Sequence, residues 1–524
     1  MNRLLLLTLI LGISTYSWAY DFKSGDLYYN ITNNSAPYTV EVTYSSTSIP
    51  SSDDDVNYAN LITANIPASV SYSGKTYSVT GIGSAAFSMC SSLTSISIPN
   101  SITSIGLNAF YKCTALVSIN IPEGITIIRD LTFCYCTSLT TINIPATVTS
   151  IGTFAFAWCS SLTSITIPDN VRGIGEDAFV YCSSLESVTI GKSVNTIGEA
   201  AFQGCESLKS IIIPNEVTII EGGTFQGCTS LHYVSIGKNV TSIGQDAFSR
   251  CSSLTSIIIP DKVTSIGPWA FYRCSSLSSI IIPDQVINIG CNAFLICENL
   301  QSLTIGRNVT FIGWDAFSGC SSLDTIIIPS SVTTIEDNVF TGCSSLISIV
   351  VENGNTVYDS RNNCNAIIET STNTLISGCN YTSIPKDITT IGESAFDGCI
   401  SLVKSIIIPN SIKKIETRAF AYCESLESIY VKAKTPPTLG TNTFLKSSPV
   451  CYIPCGTLTA YQKSDWKNYM SRFIEECVDL LIIPYDATSL SNEERNANPN
   501  HIIYPATLEN RDSVEMRCNL DIEE

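Results

Sequence analysis

A chain of 524 residues with 28 basic and 46 acidic side chains carries a formal charge of −18, which argues against nucleic acid and anionic membrane as partners. Its two histidines, His232 and His501, lie far apart in the sequence and do not suggest a catalytic dyad. Its 22 cysteines are placed at regular intervals that organise most of the chain.

The first residues, Met1-Asn2-Arg3, precede an apolar run over 4–13 and then Ser17-Trp18-Ala19, the pattern of a signal peptide (1–19) cut near Ala19. That run is too short to span a bilayer, and no later apolar run reaches the roughly 18 residues a crossing needs, so no transmembrane segment is expected. Residues 20–80 hold LYYNI at 27–31 and YTVEV at 38–42 around Asn33-Asn34-Ser35, which reads as a hairpin. As an N-terminal β cap it would cover the open edge of the chain beyond residue 80. Asp53-Asp54-Asp55 lacks calcium-loop spacing and reads as a solvated loop.

From 81 to 431 one unit repeats about 14 times with a period of 23 residues. Its cysteine column runs from Cys90, Cys113 and Cys136 to Cys343, then resumes at Cys399 and Cys423 after an insertion at 352–383. Phenylalanine stands three residues before each cysteine (Phe87 to Phe420), isoleucine eight before (Ile82 to Ile415) and leucine three after (Leu93 to Leu426). Such a period marks a stacked solenoid, because one coil has enough apolar positions to fill its interior and too few to stand alone.

Within a unit, the alternating LTSITIP at 162–168 reads as a short strand ended by Pro168. Equivalent strands one coil apart must be parallel and about 4.8 Å apart. Val171 to Ile174 suggests a second extended segment, Gly175 a bend, and Asp177-Ala178-Phe179 a helical or 3-10 turn on the opposite side. The fold class expected is therefore a repeat solenoid with a parallel β-sheet. After it, 432–478 forms a C-terminal cap, in which Leu458, Tyr461, Trp466, Tyr469, Phe473 and Ile474 predict an amphipathic helix over 457–474. The polar tail 479–524 is expected to be largely disordered.

With these columns in hand, the repeat LxxIxIPxxVTSIGxxAFxxCSS resembles the BspA-type leucine-rich repeat of bacterial and protist surface proteins. Residues 20–44, 357–370 and 435–476 resemble the N-terminal region, mid-array insertion and C-terminal cap of Bacteroidetes members. The resemblance implies a non-enzymatic secreted or cell-surface protein that binds host or microbial partners.

The ladder cysteines are expected to stay reduced, because stacked Cβ atoms near 5 Å apart cannot converge to the roughly 3.8 Å of a disulfide. Without CxxC pairs or interleaved histidine they do not suggest zinc either. Cys364 and Cys379 are symmetric about Ser371-Thr372, so a hairpin turning there makes them a candidate disulfide. No asymmetric cluster of titratable groups and no GxSxG elbow points to catalysis, and no cofactor is implied.

Two sets of residues are candidates for contacting a partner. Outward strand positions are mostly Ser and Thr, with Ile212, Ile258, Ile281 and Ile327, joined by Val350, adding an apolar stripe. The column before the ladder cysteine is often glycine but carries Tyr135, Trp158 and Tyr181, then Arg250 and Arg273. Sheet propensity and packing between neighbours explain the same residues without a ligand. The functional expectation is adhesion or protein binding, with extracellular or cell-surface proteins as partners. Glycan binding through the aromatic column, or a structural surface layer, are the alternatives.

Overall fold

The computed structural model describes residues 20–44, 58, 60–400, 402, 404–470 and 472–477. The leader 1–19, Asp53-Asp54-Asp55 and the tail 479–524 lie outside them. The described chain is a parallel β-solenoid of about 17 turns. One ladder comprises Thr63–Asn65, Ser95–Ser97, Ser118–Asn120 and their successors as far as Phe473–Glu476. A second comprises two-residue strands such as Ser150–Ile151 and Gly173–Ile174. In both, a residue pairs with the one 23 positions later, as Ser164 does with Ser187 and Ile151 with Ile174. Alternation along the strand buries Ile165 and exposes Ser164 and Thr166, the pattern repeated in most coils.

The opposite side differs from the helical or 3-10 expectation. It is a chain of β-turns in which two positions per coil take positive φ, for example Asp177 at 53° and Tyr181 at 56°. Alternate N–H groups close local turns (Val180 to Asp177 O, Cys182 to Phe179 O) while those between reach the next coil (Asp177 to Glu199 O, Phe179 to Ala201 O, Tyr181 to Gln203 O). A helix would keep all these donors to itself and cannot hold a left-handed residue every fourth position. Turns leave half of them free to join coil to coil. Gly175 is needed for closeness rather than for a bend: a Cβ there would lie 2.5 Å from the backbone of Gly152 in the preceding coil.

Inside, the phenylalanines form one stack from Phe87 to Phe340, with Phe156 and Phe179 centroids 5.2 Å apart at 3°. Tyr58 caps its beginning, 5.2 Å from Phe87. From Phe87 to Phe317 each phenylalanine carbonyl takes the N–H of the cysteine in its own coil and the S–H of the cysteine one coil on, as Phe156 O does from Cys159 N and Cys182 Sγ (3.1 Å). The ladder thiols are free and buried. In the coil of Phe444 the place is taken by Ser447, whose hydroxyl donates to Phe420 O at 2.8 Å.

The N-terminal hairpin is present as Leu27–Asn33 against Thr39–Thr43, and the latter runs parallel to Lys75–Ile82, whose end enters the second ladder. The first ladder already begins at Thr63–Asn65, ahead of the array start read from the repeats. At the C-terminus the single helix expected over 457–474 is shorter. Leu458–Lys463 is helical, Ser464 turns extended, Asp465–Asn468 is a 3-10 turn, and Phe473–Glu476 is a ladder strand. Ser464 and Asp465 favour capping over continuation, and the ladder claims Phe473 and Ile474. Buried Tyr461 and Trp466 anchor this cap by donating to Ala433 O and Pro437 O. A disulfide, Cys455–Cys477, closes it.

The insertion pairs Tyr358–Asp359, Ala366–Glu369 and Thr374–Gly378 antiparallel, then joins the second ladder through Thr374 and Leu375. Here the candidate bridge Cys364–Cys379 is corrected, since both thiols are free. A bulge between Ile367 and Ile368 shifts the hairpin register by one residue, so Cys379 faces Asn365 and its thiol donates to Asn365 O at 3.3 Å.

Burial pushes the thiols of Cys182, Cys228 and Cys274 from an ordinary value of 9.0 up to about 12, and those of Cys205 and Cys251 well above 9.0. The folded chain keeps protons that the unfolded chain releases above pH 9, so this stabilisation is complete below pH 9 and is lost as pH rises toward 12. Each such thiol contributes about 1.4 kcal/mol per pH unit within that window. Urea midpoints should fall steeply between pH 9 and 11. A flat profile there would contradict the buried ladder.

Candidate functional site

The outer face of the first ladder is set by strand alternation, which sends Ile212, Ile258, Ile281 and Ile327 into solvent. Ile258 is 84% exposed, the most of these, and lies in a coil whose strand is reduced to one bridge, Ser256 to Ser279. Ser235 and Thr304 interrupt the row, Val350 and Ile407 extend it, and exposed Tyr233 flanks it. Hydroxyls of the Ser and Thr columns border it, and charges are few: Lys209 with Glu186 (2.6 Å) is an exposed coil-to-coil pair that stabilises little.

On the turn face, the column before the ladder cysteine is a left-handed position in every described coil from Met89 to Lys446, which accounts for its glycines. Tyr135, Trp158 and Tyr181 occupy it against that preference. Tyr135 and Trp158 stack 4.6 Å apart at 3°, and Trp158 and Tyr181 lie 5.8 Å apart at 29°. Tyr135 and Trp158 rest on a second small core outside the coil, made by Leu131, Cys134, Phe154, Ala157 and Val180. Tyr135 and Trp158 are half-buried, while Tyr181 is 45% exposed. Arg250 and Arg273 are exposed in the same column but begin three coils beyond Tyr181, roughly 14 Å away, past Gly204 and Gly227. The guanidinium of Arg273 covers the Tyr272 ring at 5.3 Å. The structure thus unites the three aromatics and keeps the arginines apart from them.

Column reading missed the residues between these two groups: Gln203, Gln226, Gln245 and Asp246, around the paired Gly222 and Gly223. The signal for them was the switch from large side chains to glycine or alanine in two neighbouring columns. Among the described residues, no group of three or more His, Cys, Asp or Glu is arranged to hold a metal ion. No described helix is long and apolar enough to cross a membrane. His232 is exposed, its Nδ1 3.3 Å from Ser230 O.

Two rings of one coil differ in kind. Tyr181→Gly removes the strain of a left-handed tyrosine, roughly 1–2 kcal/mol, against an outer ring contact of roughly 0.5–1.5 kcal/mol. Phe179→Ala empties the stacked core and should cost about 3–5 kcal/mol. Urea unfolding followed by circular dichroism should show Tyr181→Gly within about 1 kcal/mol of the parent. A loss matching Phe179→Ala would make Tyr181 a structural pillar.

A family model described as the BspA type leucine rich repeat region matches residues 57–182, 149–278, 264–377 and 368–474. A solved leucine-rich repeat protein from Bacteroides ovatus ATCC 8483 is similar at 30% identity over 79% of this chain and 100% of that one, with a TM-score of 0.57. A leucine rich cell surface protein from Faecalibacterium prausnitzii A2-165 is similar at 28% identity (73% and 93% covered, TM-score 0.43). The pneumococcal vaccine antigen PcpA is similar at 18% (89% and 100% covered, TM-score 0.43). No curated protein sequence matches the chain. Repeats of this family and fold are typically non-enzymatic. Family match, period and parallel coils agree, and the chain belongs to the BspA-type leucine-rich repeat family.

Proposed function

We propose that this chain is a non-catalytic protein of the cell exterior, secreted or surface-held, that docks another protein on the outer face of its first ladder and so serves adhesion to host or microbial surfaces. The exposed isoleucine row carries this reading. A strand position open to water is satisfied by serine or threonine, as Ser95, Ser97, Ser164 and Thr166 show. Isoleucine at Ile212, Ile258, Ile281 and Ile327 adds nothing to the coil's own interior, yet each would gain about 1.5–3 kcal/mol when covered. From Ile212 to Val350 the row spans six coils, roughly 29 Å, the scale of a protein interface with an apolar centre and a hydroxyl rim. The leader-like first residues support export.

The test uses the exported chain immobilised against purified extracellular-matrix and cell-surface proteins, with affinities measured for those that bind. Ile258→Asp combined with Ile281→Asp should weaken binding at least tenfold while the circular dichroism spectrum and melting temperature hold. Undiminished affinity in that variant would remove the ladder face as the docking surface.

A further inference from the structure

The turn face holds one depression whose walls differ in chemistry. Along the column before the ladder cysteine, Trp158 and Tyr181 give way to Gly204 and Gly227 before side chains resume at Arg250. Four residues earlier in each coil, Phe154 and Asp177 give way to Ala200 and Gly223 before Asp246. The two columns shrink to glycine or alanine over the same two coils, and Gly222 beside Gly223 deepens the step. The result is a groove of about 440 Å³ with an aromatic wall at one end and polar side chains along the rest. Tyr181 leans into it: its ring lies over Gly204, where a Cβ would come within 2.5 Å.

We propose that this groove binds a short run of neutral hexopyranose sugars. This site is separate from the ladder face and stands whether or not that face docks a protein. A pyranose has an apolar C–H face and a rim of hydroxyls that both donate and accept. The exposed part of the Tyr181 ring, backed by Trp158, fits the first, as aromatic surfaces fit flat apolar groups. The side-chain amides of Gln203 and Gln226 fit the second: each offers donors and an acceptor together, and neither makes a hydrogen bond within the described chain. Gln245 donates to the Asp246 carboxylate at 3.2 Å, which orients that carboxylate as an acceptor at the groove's far side. Carboxylates at the groove disfavour sugars bearing acid groups.

The experiment titrates the full exported chain with cellotriose, laminaritriose, maltotriose and mannotriose, with trigalacturonate as the acidic counterpart, by calorimetry and saturation-transfer NMR. Two variants accompany it. Trp158→Ala removes a ring of the platform. Gly222→Tyr fills the groove without touching a ligand group, and its Cβ meets only ordinary contacts, the nearest Gln245 O at 3.4 Å. At least one neutral trisaccharide should bind at millimolar or better affinity, trigalacturonate at least tenfold more weakly, and both variants should lose at least tenfold, Gly222→Tyr with unchanged melting temperature. Binding by none of the neutral sugars overturns the proposal, as does binding that survives Gly222→Tyr or equal binding of trigalacturonate. If the groove variants instead reduce capture of a purified protein and no sugar binds, the groove is a protein contact and the proposal likewise falls. Ile258→Asp with Ile281→Asp should leave sugar binding intact, so failure of the ladder-face reading is read out separately.

Discussion

Hydrogen bonding between successive coils constrains everything else in this molecule. Backbone groups of one coil pair with those about 23 residues on, on both strand ladders and again across the turn face. An unpaired buried amide costs free energy comparable to a lost hydrogen bond, so each coil must repeat the dihedral angles of the one before it. The left-handed turn positions follow from this requirement, and so does the glycine column typified by Gly175, where coils approach too closely for a Cβ. A side chain is free to vary only where it points away from the coil, which confines recognition to the outer ladder positions and the turn surface.

The same constraint explains the cysteine ladder. At that position the side chain must be small, mostly apolar and able to donate one hydrogen bond to the phenylalanine carbonyl of the preceding coil. Serine meets the geometry with a stronger bond, as Ser447 shows at 2.8 Å, but its hydroxyl costs more to bury. In the coil of Phe444, Ser447 offsets that cost by accepting the N–H of Cys423 as well. Within the array the thiol is the better compromise. The disulfide stands where the 23-residue repeat has ended, at Cys455 and Cys477.

Much of this was legible in the sequence because it is periodic. Phenylalanine, isoleucine and leucine columns specify what is inside, and alternation across LTSITIP specifies the strand and its exposed residues. The turn face was misread because Asp-Ala-Phe suits a helix start as well as a turn. The distinguishing sign was subtle: Asn108, Asp177, Asp246, Asn292 and Asp315 recur at a position that prefers residues tolerant of positive φ. Cys364 and Cys379 look opposed when residues are counted from the hairpin tip, and only the bulge at Ile367 separates them, a local irregularity that counting cannot see. Cys455–Cys477 escaped because neither residue belongs to the period. Trp158 and Tyr181 could be picked out as breaks in a column, whereas Gln203 and Gln226 could not, since glutamine is unremarkable until two adjacent columns are seen to empty beside it.

A solenoid of near-identical coils has no single concavity imposed by its fold, so a site arises only where neighbouring coils depart from the consensus together. One departing residue is a surface variation that its neighbours mask. Three successive aromatics followed by two glycines form a wall and a floor, because side chains 23 residues apart are adjacent in space. The isoleucine row follows the same rule on the other face, where isolated apolar residues become a stripe only because the ladder lines them up. In such a molecule the binding surface is encoded by runs of agreement along the period rather than by residues close in sequence. Insertion or loss of one coil inside such a run, between Trp158 and Gly223 for example, would therefore break up the surface while leaving the fold continuous.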